Sequence, residues 1–418
     1  MAAELKTSAP DASSLSLFQL LYPEVLANPY PLYHRLRTED PVHWDPFLHT
    51  WVVTRYADVV TVLQHFSAAR TPPPERLSAI GLDGLTPIAE VLVRQMLFLD
   101  GRAHSRIRNL ASAAFTPRRV EALRPHIQEI ADRLLDAVQD KGQMDVIADL
   151  ADPLPAIVTT EMLGLPVPDW PQLTAWATDF AEALGNLQHN PDRAARVIKS
   201  VSDMTDYFHA AVEEHRAYRG DDLVCALLHA RQEDGDALTT DEVVANSIML
   251  MTGGQETTTN LIGNGLLALL REPSQWQLLK SNPELIPSAI EELLRYESPI
   301  QYTSRLAPAD LDLGGKAIQK GQAVIAVIGA GNRDPERFED PDRLDITRSD
   351  NRHLAFAWGP HFCFGAPLAR VEGEIVFNAL LRRMPDLDLR AHEVQWRPNL
   401  GFRGLTSLPL AFTVEQPA

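Results

Sequence analysis

Cysteine is scarce in this chain of 418 residues. Only Cys225 and Cys363 occur, far apart and in unlike contexts, so neither a disulfide framework nor a zinc ribbon can be assembled. His361-x-Cys363 lacks a second ligand pair at zinc spacing. A reducing, cytoplasmic setting is expected. Long apolar runs are also missing: none approaches the ~18–20 residues that span a bilayer. The N-terminus lacks the charged-then-apolar order of a signal peptide, so no membrane anchor is expected. Basic residues are outnumbered, 38 Lys and Arg against 56 Asp and Glu, for a net charge of −18. That balance excludes nucleic acid as the main partner, because phosphate binding needs a strongly basic surface. No repeat, linker or low-complexity block appears, and the 31 prolines are scattered. The expected organisation is a flexible leader over 1–15 and one large catalytic domain over 16–418, acting as a monomer.

What is present is helical periodicity. Apolar residues recur at three- and four-residue spacing over 102–114, 117–139, 171–184, 192–217, 240–271, 283–297 and 366–383. Strand signals are short: Trp51 to Thr54, Leu311 to Leu313, Gly321 to Ile328 and Leu408 to Thr413, with Gly314–Gly315 as a hairpin turn. The fold class is mainly α with a small β portion at the edge.

The segment 240–271 is the most informative. Thr239 and Glu242 form a capping box, and Pro273 marks the stop. Thirty-two helical residues span roughly 48 Å, so this helix must cross the core. Its middle nevertheless holds Gly253–Gly254, each costing about 1 kcal/mol against alanine, followed by the β-branched run Thr257 to Thr259. Helix stability did not select those residues.

Cys363 lies where a Gly- and Pro-bearing loop enters an amphipathic helix. The helix dipole and the free N–H groups of that turn predict a lowered thiol pKa, as a metal ligand requires. Gly359 and Gly365 predict a backbone pressed against something flat and bulky. Cys225, inside the apolar helix Leu223 to His229, reads as a small buried hydrophobe.

Phe356, Gly359, Cys363 and Gly365 match F-x-x-G-x-x-x-C-x-G, and here the chain resembles the cytochrome P450 superfamily, in its soluble bacterial branch. Further motifs follow in the family's order. Gly253-Gly-Gln-Glu256-Thr257 resembles [A/G]-G-x-[D/E]-T, Glu292 to Arg295 resembles E-x-x-R, and His104 to Arg108 resembles H-x-x-x-R. Asn332 to Pro335, with Phe338 and Asp340–Pro341, resembles the segment before the cysteine loop. Two departures stand out: Ala357 where that branch often has Gly, and Phe364 for a frequent Leu.

The resemblance implies a cytochrome P450 fold and a haem-thiolate monooxygenase using haem b, with Cys363 on the iron. A thiolate ligand favours O–O cleavage. It implies that Thr257 hydrogen-bonds the oxygen substrate and Glu256 relays protons, and that His104, Arg108, Arg305 and His353 neutralise the haem propionates. Glu292 and Arg295 take a structural part. Gly253, replacing the commoner Ala, should widen the groove beside the iron. The substrate pocket is placed at Leu97, Met249, Thr252, Gly253, Ile300, Gln301 and Phe402, with a lid at the turn near Gly185 to Pro191. Its make-up suits a hydrophobic polyketide, terpenoid, steroid or fatty acid, hydroxylated or epoxidised. No stretch is left for a reductase, so electrons from NAD(P)H come through a separate ferredoxin or flavodoxin with its reductase. Six arginines between 102 and 124 (Arg102, Arg106, Arg108, Arg118, Arg119 and Arg124), against one acid, Glu121, form the expected docking patch. Two other readings are a peroxide-driven peroxygenase, against which the Glu256–Thr257 pair argues, and a haem sensor without turnover.

Overall fold

The computed structural model describes residues 14–79, 81–185, 191–218, 220–231, 235–384, 386–390 and 394–414. The helix Thr240–Arg271 is its axis. Both halves of the capping box form: Glu242 N–H donates to Thr239 Oγ1 (3.2 Å) and Thr239 N–H to the Glu242 carboxylate (2.9 Å). The helix joins two apolar clusters. Leu266 and Leu269 pack with Leu154, Ile290 and Phe377 on one side; Ile248 and Met251 pack with Phe180 and Phe208 on the other. It touches Pro153–Met162, Trp170–Gly185, Pro191–Ala217 and Ala366–Arg383. With apolar partners on every side it can be buried almost all round, which an edge helix cannot.

The β portion is small. Val42–Asp45, Thr50–Val53, Ala323–Ala326 and Thr303–Leu306 form one sheet in that order, with only the middle pair parallel. Leu311–Leu313 and Lys316–Ile318 form the expected hairpin. Its turn residues Gly314 and Gly315 have φ of 60° and 77°, the left-handed pair that a tight two-residue turn needs. Gln143–Asp145, Pro409–Ala411 and Asp388–Leu389 form a third sheet.

One expected helix is broken. The stretch 117–139 divides into Pro117–Ala122 and Arg124–Asp136, because Pro125 lacks the N–H that would continue the ladder from the first piece. The strand expected over Gly321 to Ile328 shrinks to Ala323–Ala326 and runs into the short helix Ile328–Gly331. Residues 186–190 of the expected lid and 1–13 of the expected leader lie outside the described residues. Among the described residues no helix is long and apolar enough to cross a membrane.

Glu292 and Arg295 are fully buried and paired through two bonds of 2.7 Å. Arg295 also donates to the carbonyls of Asn332 and Pro341, at 2.9 and 2.7 Å. Glu292 accepts from Asp345 N–H, Arg348 and Asn351. A buried ion pair is tolerable only when its remaining bonding capacity is met in this way. The pair thus fastens the segment 332–351 that leads into the cysteine loop.

Candidate active site

The loop before the helix Ala366–Arg383 closes on itself: Cys363 N–H donates to Phe356 O at 2.8 Å. Gly359 has φ of 70°, and a Cβ there would lie 3.1 Å from Gln64 Cα, so the loop can pack on the helix Tyr56–His65 only with glycine. A Cβ at Gly365 would meet nothing beyond its own stretch of chain, and Gly365 lines a cavity of about 560 Å³. Cys363 lines this cavity, and so do Gly253, Gly254 and Thr257 of the central helix.

The expected drop in the thiol pKa is not met. Burial pushes the Cys363 thiol up, outweighing the Gly365 and Ala366 N–H groups and Arg108. A metal cation at the sulfur would reverse that balance.

Cations crowd one side of the cavity. Arg70, His104, Arg108, Arg305 and His361 all line it. The His104 and His361 rings are 4.3 Å apart, and Asp100 Oδ1 stands 3.7 Å from His361 Nε2. Burial, then their mutual repulsion, lowers Arg70 to about 9 and His361 to about 4; burial lowers Arg305 to about 10. The buried Arg305 Nε has no partner among the described residues. Groups this costly to keep charged call for buried anions, and two carboxylates of one bound molecule would supply them.

His353 does not join this cluster. Its Nε2 faces Glu291 at 3.3 Å and it is absent from the cavity lining. The place expected for it is taken by His361, two residues before the cysteine on the same loop, which the sequence reading weighed only as half of a zinc pair. Arg70 carried no sequence signal at all.

On the opposite wall the two glycines serve different ends. A Cβ at Gly253 would meet nothing, whereas one at Gly254 would lie 2.7 Å from Thr159 Oγ1. Thr257 Oγ1 donates to Gly253 O at 2.7 Å, a back-bond that loosens the helix turn. Glu256 is not part of the lining. It is buried and faces Arg397, whose Nη1 is 3.3 Å from each carboxylate oxygen. Burial raises its pKa although Arg397 opposes the rise. The proton relay expected of Glu256 would thus start from an ion pair behind the cavity wall.

Leu97, Met249, Thr252, Ile300 and Phe402 line the cavity as expected, but Gln301 does not. Gln301 donates from Nε2 to Ser298 O at 2.7 Å and is buried; the cavity is reached instead by Thr303 and Ser304. Glu372, unmarked in the sequence reading, also lines the cavity, and burial pushes it to about 8, only partly offset by Thr258.

The arginine patch is smaller than expected. Arg106 pairs with Asp236 and Glu242, Arg108 donates to Phe362 O, and Arg124 is held by Glu121 and Glu374. Arg102, Arg118 and Arg119 are exposed, as is Phe362 in the cysteine loop.

The family model "Cytochrome P450" matches residues 174–385. The chain is 40% identical over 392 residues to the biotin biosynthesis cytochrome P450 of Bacillus subtilis, covering 93% of this chain and 97% of that one. It is 37% identical over 396 residues to the polyketide biosynthesis cytochrome P450 PksS of the same organism, covering 92% and 96%. The crystal structure of P450BioI in complex with hexadec-9Z-enoic acid ligated acyl carrier protein superposes with a TM-score of 0.88 at 38% identity, over 94% of this chain and 99% of that one.

The chain belongs to the cytochrome P450 family. It is a cytochrome P450 monooxygenase, and membership implies haem-thiolate chemistry. The cavity of this cytochrome P450 fits that cofactor: a thiol on one wall, a glycine-lined groove on the other, and a set of buried cations short of anions.

Proposed function

We propose that this cytochrome P450 inserts one oxygen atom from O2 into an apolar small molecule, by hydroxylation or epoxidation, in the cytoplasm. Electrons come from NAD(P)H through a separate ferredoxin or flavodoxin and its reductase. The observation that carries the reading is that Cys363 and the Gly253–Thr257 turn line one cavity in which Arg70, His104, Arg108, Arg305 and His361 face a single acid, Glu372, with the buried Arg305 Nε unpartnered among the described residues.

Cys363 would hold the haem iron through its sulfur. Arg70, His104, Arg108, Arg305 and His361 hold the two propionates, regaining in ion pairs what burial costs them. Held this way, the cofactor would supply oxygen activation, which a thiolate ligand promotes. The Thr257 hydroxyl orients a proton donor at the groove, and Gly253 leaves room for substrate against the central helix. Glu256, ionised against Arg397, takes up a proton from solvent when that arginine swings away and passes it on behind that turn.

Leu97, Met249, Ile300 and Phe402 exclude water from the substrate, with the Thr252 and Thr303 hydroxyls as polar handles. Fatty-acyl and polyketide molecules suit this wall; polyketide biosynthesis is in the name of one relative, and the superposed structure holds hexadec-9Z-enoic acid on an acyl carrier protein. The exposed Arg102 and Arg118 form the docking face for an acidic electron donor.

The test is reconstitution of the haem-loaded chain with fatty acids and macrolactones, first screened for a shift of the haem absorption band. Product is then measured with a ferredoxin system, with hydrogen peroxide, and with neither. Product with the ferredoxin system supports the proposal. Product with peroxide alone would show a peroxygenase, and binding without turnover a sensor.

A further inference from the structure

Away from the cavity-lining cations, His215, Asp222 and Cys225 bring one nitrogen, one oxygen and one sulfur ligand atom within 4.8 Å of one another. His215 belongs to the last turn of Pro191–Ala217. Asp222 caps the helix Leu223–His229, and Cys225 lies in its first turn. Both His215 and Cys225 are buried, and the His215 and Asp222 side chains are each only 9% exposed.

The local bonding sets His215 Nε2 opposite Asp222 Oδ1, which also accepts from Cys225 N–H at 2.7 Å. His215 Nδ1 lies 2.6 Å from Ala211 O, and since a carbonyl has no proton to give, Nδ1 carries the hydrogen. Nε2 then presents its lone pair, and it faces Asp222 Oδ1 at 3.5 Å. Two acceptors opposed in a buried place need a cation between them, either a proton or a metal. Cys225 Sγ accepts from Gly220 N–H at 3.4 Å and, as the thiol, donates to Tyr218 O at 3.4 Å; loss of that one proton leaves a thiolate still supported by the Gly220 N–H. Gly164, with φ of 73°, closes the far side: a Cβ there would lie 2.5 Å from Asp222 Cγ and 2.8 Å from His215 Nε2.

We propose that His215, Asp222 and Cys225 bind a zinc ion that clips the end of one helix to the start of the next. The donor set suits zinc, whose tetrahedral ligands stand ~3.3–3.8 Å apart, so the three atoms need close by only about 1 Å. Charges balance in the buried site, since the thiolate and the carboxylate offset the dication and the imidazole stays neutral. Binding releases the thiol proton to solvent. Three protein ligands leave the fourth position to water. Cys225, read from the sequence as mere apolar filling, thereby gains a chemical role. The clip also borders the substrate space, because Leu223, next to Asp222, lines the cavity.

The test uses the full haem-loaded chain, stripped with a chelator and dialysed against zinc chloride. One zinc per chain is expected, with one sulfur in its shell by X-ray absorption at the zinc edge and a raised Tm. Cys225→Ser and His215→Gln should each weaken zinc retention more than about tenfold, with the haem spectrum unchanged as the readout of folding. Zinc without sulfur in its shell, zinc retained equally by both variants, or no zinc retained at all would overturn the proposal. If Cys225→Ser does not fold, the sulfur signal of the unaltered chain decides alone.

Discussion

Arg397 neutralises two acids at once: its Nη1 stands 3.3 Å from both oxygens of Glu256, and its Nη2 reaches Asp152 Oδ1 at 3.1 Å. Removing the guanidinium leaves Glu256 buried without a counter-charge. Arg397→Leu should therefore cost about 3–5 kcal/mol of stability, and adding Glu256→Gln should recover at least about 1 kcal/mol of it. Denaturant unfolding of the four chains in a double-mutant cycle measures the coupling; strict additivity would mean that the pair does not interact.

Thr257 has one hydrogen-bond partner within its own helix, Gly253 O, and its hydroxyl lies at the cavity wall. Thr257→Ala should lower product formed per NAD(P)H consumed by about tenfold, with peroxide released instead, while Thr257→Ser keeps most of the coupling. Stoichiometric assay of cofactor, product and peroxide checks this. Unchanged coupling in Thr257→Ala would remove the residue from the proton path.

Ala357 occupies φ of 59°, a left-handed conformation that costs a residue with a Cβ roughly 1–2 kcal/mol. Ala357→Gly should raise stability by about 1 kcal/mol, after allowing for the larger unfolded-state entropy of glycine. The thermal midpoint of the haem-loaded chain reports it.

Glu372 should make stability depend on pH. Its folded pKa, about 8, lies above the ordinary 4.5, so the folded state holds the proton more tightly than the unfolded one. This contribution is complete below about pH 4.5 and is lost as pH rises through 8, a change of a few kcal/mol. Glu372→Gln should flatten that part of the profile, measured by unfolding at a series of pH values. A slope unchanged by the substitution would assign the titration elsewhere.

Electron delivery should slow as salt rises, because Arg102 and Arg118 are solvent-facing and exposed charges act at range only through an unscreened field. Reversing both to Glu should cut the reduction rate by an acidic ferredoxin by about tenfold at low salt and by much less at high salt. Stopped-flow reduction resolves the two regimes.

The central helix was legible from its ends inward, since a capping box and a proline are local signals and the residues between them needed no distant partner. The cysteine loop was legible for a similar reason: a sulfur, two glycines and a helix start sit within ten residues. Partners chosen across the fold were not. Arg397 meets Glu256 across 141 positions of sequence, and nothing near either residue marks the other. His353 and His361 are both histidines before the same cysteine, and only the path of the 3₁₀ turn Gly359–His361 decides which one reaches the cavity. Gln301 was misplaced because its amide folds back onto the Ser298 carbonyl, a local bond that its spacing from the E-x-x-R helix does not reveal. The sheet's edge strands Val42–Asp45 and Thr303–Leu306 are four residues each, too short for alternation to stand out.

The bracing of residues 332–351 by Glu292 and Arg295 also sets where the chain tolerates change. Between Arg295 and its carbonyl partners lies the hairpin Leu311–Ile318, whose Gly315 has open space around it. The ends of that span are held by buried bonds on either side, so lengthening it costs only the slow logarithmic entropy of a larger loop. The turn at Gly315 is thus a graft point: a tag or a tethered electron-transfer module placed there would leave the cysteine loop anchored as before.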